Sequence, residues 1–509
     1  MKSPPALAVL SLAGLIAWGA QAAQPRSAGI NDPDTRAWWE IAETLSSDAM
    51  EGRDIGSPGH HRAALVVAAR FKAAGLKPAG DNGTWFQKFP VHESRVETAG
   101  TSFNVWRDDR SATPLRFLHD ITVRPTDTLP ASLDAPMTFR GYCAPSDLAE
   151  AAGKVVICFN TKRAGLPSGA QRVQAAQAAG AAGIVQVDDP YFTIEPPRWP
   201  AAYARSVAIA GSPAPAAAAM PVMTLSADAF RTMVAGSGRD TQAILKLGGA
   251  KQPLPSFDLP GRLKAQFHLT KRDFTAENLL ARMPGRDPKL AGQNLVLSAH
   301  LDGYGYGEPV NGDGLYNGTL DDAAYVGTLI RFADKHRGKP LRRSVVFAAF
   351  TGEEKGLLGA HWFVEHPTVP KTSMVADINL DQLRPLFPLT ILTQLAEDQT
   401  SLGRTARLVA GTMNIRIQAD PEPERGLLQR ADHWPFMQAG IPATGFIFGY
   451  LPGTDAERRY REWYQIRYHR PQDDVTQPMD FDAAGAFNRF FYLLAEAVAD
   501  ADEAPVWSR

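Results

Sequence analysis

Four apolar runs in the second half of the chain are separated by stretches whose apolar residues recur at helical spacing. The runs span residues 294–300, 344–350, 374–381 and 441–448. Because they are continuous rather than alternating, they predict strands buried on both faces of a sheet. In the stretch 322–336, apolar residues such as Val326 and Ile330 fall on one helical face. This alternation predicts an α/β fold with a mainly parallel, doubly wound sheet.

The first half of the chain has a different pattern. Residues 35–76 show helical spacing of apolar positions, and the run 84–94 is typical of a strand. From residue 115 to 250 the chain has short β runs, many prolines and one alanine-rich helix. The Pro- and Gly-rich stretch 248–261 indicates a linker that returns from this segment. We therefore expect a smaller, β-rich domain inserted before the main α/β domain.

The N-terminus has the pattern of an export signal. Lys2 precedes an apolar stretch over residues 6–18, and the triplet 20–22 (Ala-Gln-Ala) is a small-x-small cleavage pattern. The apolar stretch is too short to span a bilayer, and no later run is long enough. We therefore expect residues 1–22 to be removed and the mature protein to be soluble and either periplasmic or secreted.

Composition excludes several classes of protein. Lys and Arg total 53 against 54 for Asp and Glu, which gives a net charge of −1 and no general attraction for nucleic acid or anionic membranes. With 509 residues, 44% of them hydrophobic, the chain is typical of a globular protein of two or more domains. We therefore expect neither a nucleic-acid partner nor a membrane span in the mature chain.

Cys143 and Cys158 are the only cysteines, and both end or lie in strand-like runs. Without a Cys-x-x-Cys pair, a thiolate metal site is improbable. Because export permits oxidation, a structural disulfide is favoured over two buried free thiols.

Side chains that suit a metal ion cluster at the ends of the apolar runs. The candidates are His300 with Asp302, Glu353 with Glu354, Asp381, Asp321 at the start of a helical stretch, and His469. In an open α/β sheet, ligands bind beyond the carboxyl ends of the strands, so these side chains should meet at one edge. His and carboxylate ligands without Cys suit zinc or a similar divalent ion. If each of these five positions supplies one ligand, the set has two histidines and three carboxylates, which suits two ions that share a bridging ligand better than one ion.

Five motifs carry a resemblance to a known family. In order along the chain they are SAHLDGYG, NGTLDDAAYVG, FTGEEKGLLGA, INLDQL and YHRPQDDV. Together they resemble the co-catalytic di-zinc exopeptidases, the family of bacterial leucyl aminopeptidases and glutamate carboxypeptidase. The resemblance covers about residues 275–500 and the N-terminal sequence LSSDAMEGRDIGSPGHHRAA, while residues 115–250 look like the protease-associated (PA) domain often inserted in this family.

The resemblance implies a division of the chain and a set of roles. The expected segments are a signal peptide (1–22), an N-terminal helical segment (23–114), a PA-like domain (115–250), a linker (251–275), the catalytic domain (276–500) and a tail (501–509). His300 and Asp381 should hold one zinc ion, Glu354 and His469 a second, and Asp321 should bridge both. The expected catalytic residues are Glu353 as general base, Asp302 as the acid that fixes a ligand imidazole, and Tyr468 as an oxyanion stabiliser. Asp432 and His433 should lie near the site without binding metal.

The chain departs from the family pattern at three positions. Gly303, Asp322 and Gln382 stand where many relatives have His, Asn and Met. None of these removes a ligand, so they bear on side-chain preference rather than on activity. Residues 304–318 lie between two ligands, and they either line the pocket or form a flexible glycine-rich surface loop.

The resemblance favours an exported metallo-aminopeptidase that uses two zinc ions per chain to hydrolyse the N-terminal bond of peptides. A carboxypeptidase or other amidohydrolase on the same site is the alternative. Less favoured are a glutaminyl cyclase with one zinc and a non-catalytic binding protein similar to the transferrin receptor. Such receptors have lost metal ligands, whereas all five positions are present here.

Overall fold

The computed structural model describes residues 29–192, 204–212, 220–381 and 383–508. The expected signal peptide and Gln382 therefore lie outside the described residues. None of the helices in the described part of the chain is long and apolar enough to cross a membrane. The helices are α1 Pro33–Leu45, α2 Pro58–Ala73, α3 Gly169–Ala178, α4 Phe230–Val234, α5 Thr241–Gly249, α6 Ala324–Lys335, α7 Leu358–Glu365, α8 Leu402–Thr412, α9 His433–Gln438, α10 Asp455–Ile466 and α11 Phe481–Ala499. The strands are β1 Lys77–Pro78, β2 Phe86–Val96, β3 Ser102–Trp106, β4 Ala112–Leu115, β5 Ile121–Val123, β6 Ser132–Arg140, β7 Val155–Asn160, β8 Gly183–Asp188, β9 Arg205–Ile209, β10 Val222–Leu225, β11 Ser256–Gln266, β12 Leu269–Met283, β13 Asn294–His300, β14 Gly305–Val310, β15 Asp313–Tyr316, β16 Ser344–Phe350, β17 Met374–Leu380, β18 Ile391–Gln394, β19 Arg416–Gln418, β20 Ala443–Thr444 and β21 Phe446–Phe448.

The main sheet has eight strands in the order β20-β17-β13-β16-β12-β2-β9, with β1 paired to β12. The α/β fold is confirmed, but only the half formed by β20, β17, β13 and β16 is parallel. In the other half, β12, β2 and β9 pair in the antiparallel sense, and the long strands β12 and β2 pair directly over eleven residues. Such a pairing needs no crossover helix, which a parallel pairing would require.

The parallel strands end together at one edge of the sheet. β13 and β16 coincide with two predicted runs, and β17 ends one residue before its predicted end. Ala299 lies opposite both Ala349 and Leu380, so His300 and Asp381 leave the sheet side by side. The fourth run breaks into β20, which pairs with β17, and β21, which joins β18 in a small separate sheet.

Helices cover both faces of the main sheet, as a doubly wound fold requires. On one face, side chains of α1, α2, α6 and α11 join those of the strands in one buried cluster, which includes Trp38, Phe71 and Phe332. On the other face, Phe363 of α7 and Phe436 of α9 pack with Phe350. The sheet is therefore held between two apolar layers, and its polar carboxyl edge is positioned by a rigid core.

A second sheet lies in the preceding part of the chain. Its eight strands run in the order β4-β3-β11-β6-β7-β8-β10-β5, and it has its own hydrophobic core, with Val105, Phe139 and Ile157 among the buried residues. The expected disulfide is confirmed, because Cys143 and Cys158 are bonded. β9 lies between strands of this segment in the sequence, yet it pairs with β2 at the edge of the main sheet.

Part of the expected linker 251–275 is not a linker. Residues 256–266 form β11, which pairs with β3 and β6, and β12 begins at Leu269. Pro260 and Gly261 interrupt the pairing of β11 with β6. The pairing stops after Leu259 and resumes at Arg262 with a shifted register. The Pro and Gly residues therefore mark an irregularity within a strand rather than an irregular connection.

Candidate metal centre

The two glutamates follow β16 in a tight turn. Gly352 has φ 72°, and Glu353 to Lys355 form a single 3₁₀ turn after it. A side chain at position 352 would also collide with Ile55, whose Cδ1 would lie 2.9 Å from an added Cβ. This turn places both carboxylates at the edge where β13 ends.

Asp302 connects the ends of β13 and β16. Its carboxylate accepts the backbone N–H of Glu353 at 3.2 Å and that of Glu354 at 3.3 Å. The carboxylate of Asp302 is 3.7 Å from Nδ1 of His300, whereas the main-chain carbonyl of Asp302 accepts a hydrogen bond from that nitrogen at 3.1 Å. Asp302 thus fixes the His300 ring mainly through its carbonyl, and its carboxylate holds the glutamate turn.

With Nδ1 engaged, His300 presents Nε2 to the site. Nε2 lies 3.4 Å from Oδ1 of Asp321. The other carboxylate oxygen of Asp321, Oδ2, lies 3.5 Å from Nε2 of His469. The same His469 nitrogen is 3.3 Å from Oε2 of Glu354. Asp321 therefore turns one oxygen to each histidine, which is the arrangement that a bridging carboxylate needs. The peptide bond between Asp321 and Asp322 is cis.

The predicted ligands come together in overlapping groups whose ligand atoms lie within 4.8 Å of one another. The groups are His300–Asp322–Asp381, His300–Glu353–Glu354 and Asp321–Glu354–His469. All five predicted ligand residues belong to at least one group. Asp322 joins the first group, although sequence reasoning named it only as a departure from the family pattern, and it also accepts the backbone N–H of His300 at 3.1 Å.

The residues present fit a divalent metal ion. Within the described chain, four buried atoms of the cluster make no hydrogen bond: His300 Nε2, Asp321 Oδ2, Asp322 Oδ1 and Glu354 Oε1. Buried polar atoms without a partner are costly, and a cation between them would satisfy them. Imidazole nitrogens and carboxylate oxygens are ligands that zinc accepts, so the donor set suits this ion.

Burial and mutual repulsion shape the ionisation of the cluster. Burial raises the pKa of Glu353 and of Glu354 well above the usual range, and nearby carboxylates raise both further. Burial also opposes ionisation of Asp321, but the Arg384 guanidinium and the two histidines hold its pKa below the usual range. The protein's own cationic groups thus favour the charged form of Asp321.

Asp473 links the two segments that carry Asp321 and His469. Its carboxylate accepts the backbone N–H groups of Leu320 at 2.9 Å and of Asp321 at 3.0 Å. It also accepts a hydrogen bond from Gln477 at 2.6 Å, and burial raises the pKa of Asp473 to about 6. Sequence reasoning did not single it out, although it lies in the motif YHRPQDDV that contains His469.

A buried arginine from the N-terminal segment supports the same loops. Arg53 donates hydrogen bonds to the carbonyls of Leu301, Asn317 and Gly318 at 2.7 to 2.8 Å. It thereby joins the end of β13 to the loop before Asp321. Its signal in the sequence is its place in LSSDAMEGRDIGSPGHHRAA, which resembles family members.

Asp432 and His433, which the resemblance placed near the site, are both buried. Burial raises the pKa of Asp432 well above the usual range and lowers that of His433 to about 4. Neither residue joins the groups of potential metal ligands found among the described residues.

Tyr468 packs against His469, a predicted ligand. Its ring stacks on the His469 ring with centroids 3.6 Å apart, and its hydroxyl oxygen accepts a hydrogen bond from Arg430 at 3.0 Å. A guanidinium that donates to a phenol oxygen makes the phenol O–H a stronger donor. Tyr304 lies on another side of His469, with its hydroxyl 3.2 Å from Nδ1.

We expect Tyr468→Phe to lower kcat about 100- to 1000-fold, because it removes the predicted donor to the oxyanion and keeps the ring that stacks on His469. Steady-state kinetics on an aminoacyl reporter, with zinc content measured in parallel, checks this expectation. Tyr306, whose side chain is exposed, provides the control Tyr306→Phe, which should leave kcat unchanged. A wild-type kcat in Tyr468→Phe would remove Tyr468 from the catalytic residues.

Part of the chain is similar to known peptidases. Residues 278–495 match the model of Peptidase family M28. Leupeptin-inactivating enzyme 1 of Streptomyces exfoliatus is 25% identical over 296 residues, which cover 55% of this chain and 62% of that protein. A probable leucine aminopeptidase 2 of Aspergillus oryzae is 26% identical over 215 residues, covering 40% of this chain and 40% of that protein. The chain thus aligns with less than two thirds of the length of these relatives.

Solved structures share the fold over most of the chain. An aminopeptidase from Aneurinibacillus sp. strain AM-1 aligns with a TM-score of 0.62 at 14% identity, covering 92% of this chain and 95% of that one. A zinc aminopeptidase from Bacillus subtilis aligns with a TM-score of 0.59 at 15% identity, covering 92% and 96%. Such coverage extends beyond the residues that the family model matches.

Proposed function

We propose that this protein, whose residues 278–495 match the model of Peptidase family M28, is an exported zinc aminopeptidase with two zinc ions per chain. It would release N-terminal residues from peptides. The observation that carries the proposal is the position of Asp321, whose two carboxylate oxygens face His300 and His469, two histidines that belong to different ligand groups.

The chain's own residues divide the work of hydrolysis. When bound, two zinc ions acidify a shared water and polarise the scissile carbonyl. Glu353 would take the proton from that water and pass it to the leaving amine. It belongs to the group His300–Glu353–Glu354 and not to the group that contains His469. Tyr468, held by Arg430, would donate to the oxygen on which negative charge develops. A free substrate α-amine next to these carboxylates would select chain ends over internal bonds.

We further propose that residues 1–22 direct export and that residues 115–250 belong to a PA-like domain. The separate hydrophobic core and the Cys143–Cys158 disulfide of the second sheet support an independent domain. A disulfide is also consistent with an oxidising compartment. The sheet extends beyond 115–250 on both sides, because β3, β4 and β11 belong to it, so we propose 102–266 as the wider limits of this domain.

Blocked dipeptides test the proposed activity. The full-length protein should cleave a carboxy-blocked dipeptide such as a leucyl amide and leave the amino-blocked dipeptide intact. A chelator should abolish the activity, and added zinc should restore it. Cleavage of the amino-blocked dipeptide alone would instead identify a carboxypeptidase on the same site. Equal rates before and after removal of the metal would overturn the zinc mechanism.

A further inference from the structure

A buried arginine lies beside the carboxylate that faces both histidines. Arg384 has 0% of its surface exposed, and its Nη2 lies 3.5 Å from Oδ2 of Asp321. This is the oxygen that also lies 3.5 Å from Nε2 of His469. The oxygen that faces His300 is the other one, Oδ1. The arginine therefore approaches Asp321 at the oxygen that faces His469.

The guanidinium is fixed in this position. Its Nη1 donates hydrogen bonds to the carbonyls of Leu320 and Leu383, both at 3.0 Å. Its central carbon lies 4.3 Å from the centroid of the Trp463 ring, a cation–π contact. Nε and Nη2 make no hydrogen bond within the described residues. An arginine keeps its proton at any pH of interest, so this is a permanent positive charge.

We propose that Arg384 makes the two halves of the metal centre unequal, so that the Asp321–Glu354–His469 half holds its zinc ion more weakly than the His300–Asp381 half. The inference rests on the proposed two-zinc site. A divalent ion at Oδ2 would lie within a few ångströms of the guanidinium, in an interior where like charges are poorly screened. Arg384 and the ion would also compete for the lone pairs of a single oxygen.

Unequal halves have a consequence for how the enzyme loads. At limiting zinc the chain should carry one ion, on the His300 side, with the His469 side empty or in exchange with the solution. Full loading should require a higher zinc concentration. Activity would then depend on zinc supply over a range in which the first site is already filled.

A purely structural role for Arg384 predicts the opposite. If the arginine only orients Asp321 through the carbonyls of Leu320 and Leu383, its removal should weaken the second zinc site. The variants Arg384→Gln and Arg384→Lys separate the two roles. Both replace the guanidinium that donates to these carbonyls, but only Arg384→Lys keeps the positive charge.

The experiment is a titration of zinc into metal-free, full-length protein by calorimetry, which needs no activity. We expect two steps in the wild type whose dissociation constants differ by at least about tenfold. Arg384→Gln should bind the second ion at least about tenfold more tightly than Arg384→Lys. Equal second-step affinities in the two variants, or weaker binding in Arg384→Gln, would overturn the inference.

Two variants that leave Arg384 in place test the same assignment if the arginine variants do not fold. His469→Ala should remove the weak step, and His300→Ala should remove the tight one. The reverse pattern would overturn the inference. A wild type that binds one ion at saturating zinc would overturn both the two-zinc site and this inference, whereas two equal steps would overturn the inference alone. The blocked-dipeptide assay reports on the proposed activity separately.

Discussion

Glu353→Gln should lower kcat on an aminoacyl reporter about a thousandfold while the zinc content stays at the wild-type level. Glutamine has nearly the same shape as glutamate but cannot take a proton from water at neutral pH. Glu353 shares a group with His300 and Glu354 but is absent from the Asp321–Glu354–His469 group, so exchanging its carboxylate for an amide of the same shape should leave those three ligands in place. Steady-state kinetics with metal analysis of the same sample measures both quantities.

The turn itself should survive this substitution. The backbone N–H of Glu353, rather than its side chain, donates to Asp302, and that bond is retained in the variant. Glu365 at the end of α7 is exposed and gives the charge-matched control Glu365→Gln, which should keep wild-type kinetics. A kcat within about tenfold of wild type in Glu353→Gln would rule out Glu353 as the general base.

The parts of the fold that the sequence predicted well are those whose side chains face apolar layers on both sides. β13 and β16 match their predicted bounds, because buried parallel strands read as continuous apolar runs. The run 441–448 was wrong as one strand, since its two halves pair with different partners, β17 and β18. Partner choice of this kind leaves no trace in a local pattern. The misread linker at 251–275 has the same cause, because Pro260 and Gly261 signal a break in structure without saying whether the strand resumes.

The residues of the site that lie at strand ends or in motifs could be predicted from the sequence. The side chains that hold the site by hydrogen bonds to the main chain could not. The spacing of His300, Asp321 and Asp381 on neighbouring elements suffices to expect them at one edge. Arg384 and Asp473 bind backbone carbonyls and amides, and such contacts follow no sequence spacing. Both residues could be found only once the loops that they hold were placed in three dimensions.

The glycine at position 303 has a physical explanation. An added Cβ would lie 2.8 Å from the carbonyl oxygen of Gly52, and Gly303 pairs with Asp54 in an isolated bridge. The histidine common in relatives would therefore displace the N-terminal segment that carries Arg53. In this chain the close approach of that segment, rather than a side chain at 303, shapes this side of the site.

Glu354→Gln should lose activity for a different reason from Glu353→Gln, because it should bind zinc more weakly. Its Oε2 lies 3.3 Å from Nε2 of His469, and its Oε1 makes no hydrogen bond within the described chain, so its carboxylate is available to an ion. An amide is a neutral and poorer ligand, and we expect the second zinc to bind at least about tenfold more weakly. At a zinc concentration that fills both sites of the wild type but not the weakened site of the variant, kcat should fall about a thousandfold, because one of the two ions that polarise the reaction is absent.

Zinc supply then separates the two glutamates. Raising free zinc should restore part of the activity of Glu354→Gln, since the defect of this variant is low occupancy of the second zinc site. It should restore no activity in Glu353→Gln, since both zinc sites of that variant are already filled. Activity as a function of buffered zinc concentration, measured on both variants side by side, provides the comparison. If Glu354→Gln kept two tightly bound zinc ions, or if zinc rescued Glu353→Gln instead, the roles of the two residues would have to be exchanged. The contrast is informative because the residues are adjacent, share one turn and both donate their backbone N–H to Asp302, so a general disturbance of the turn should affect them alike.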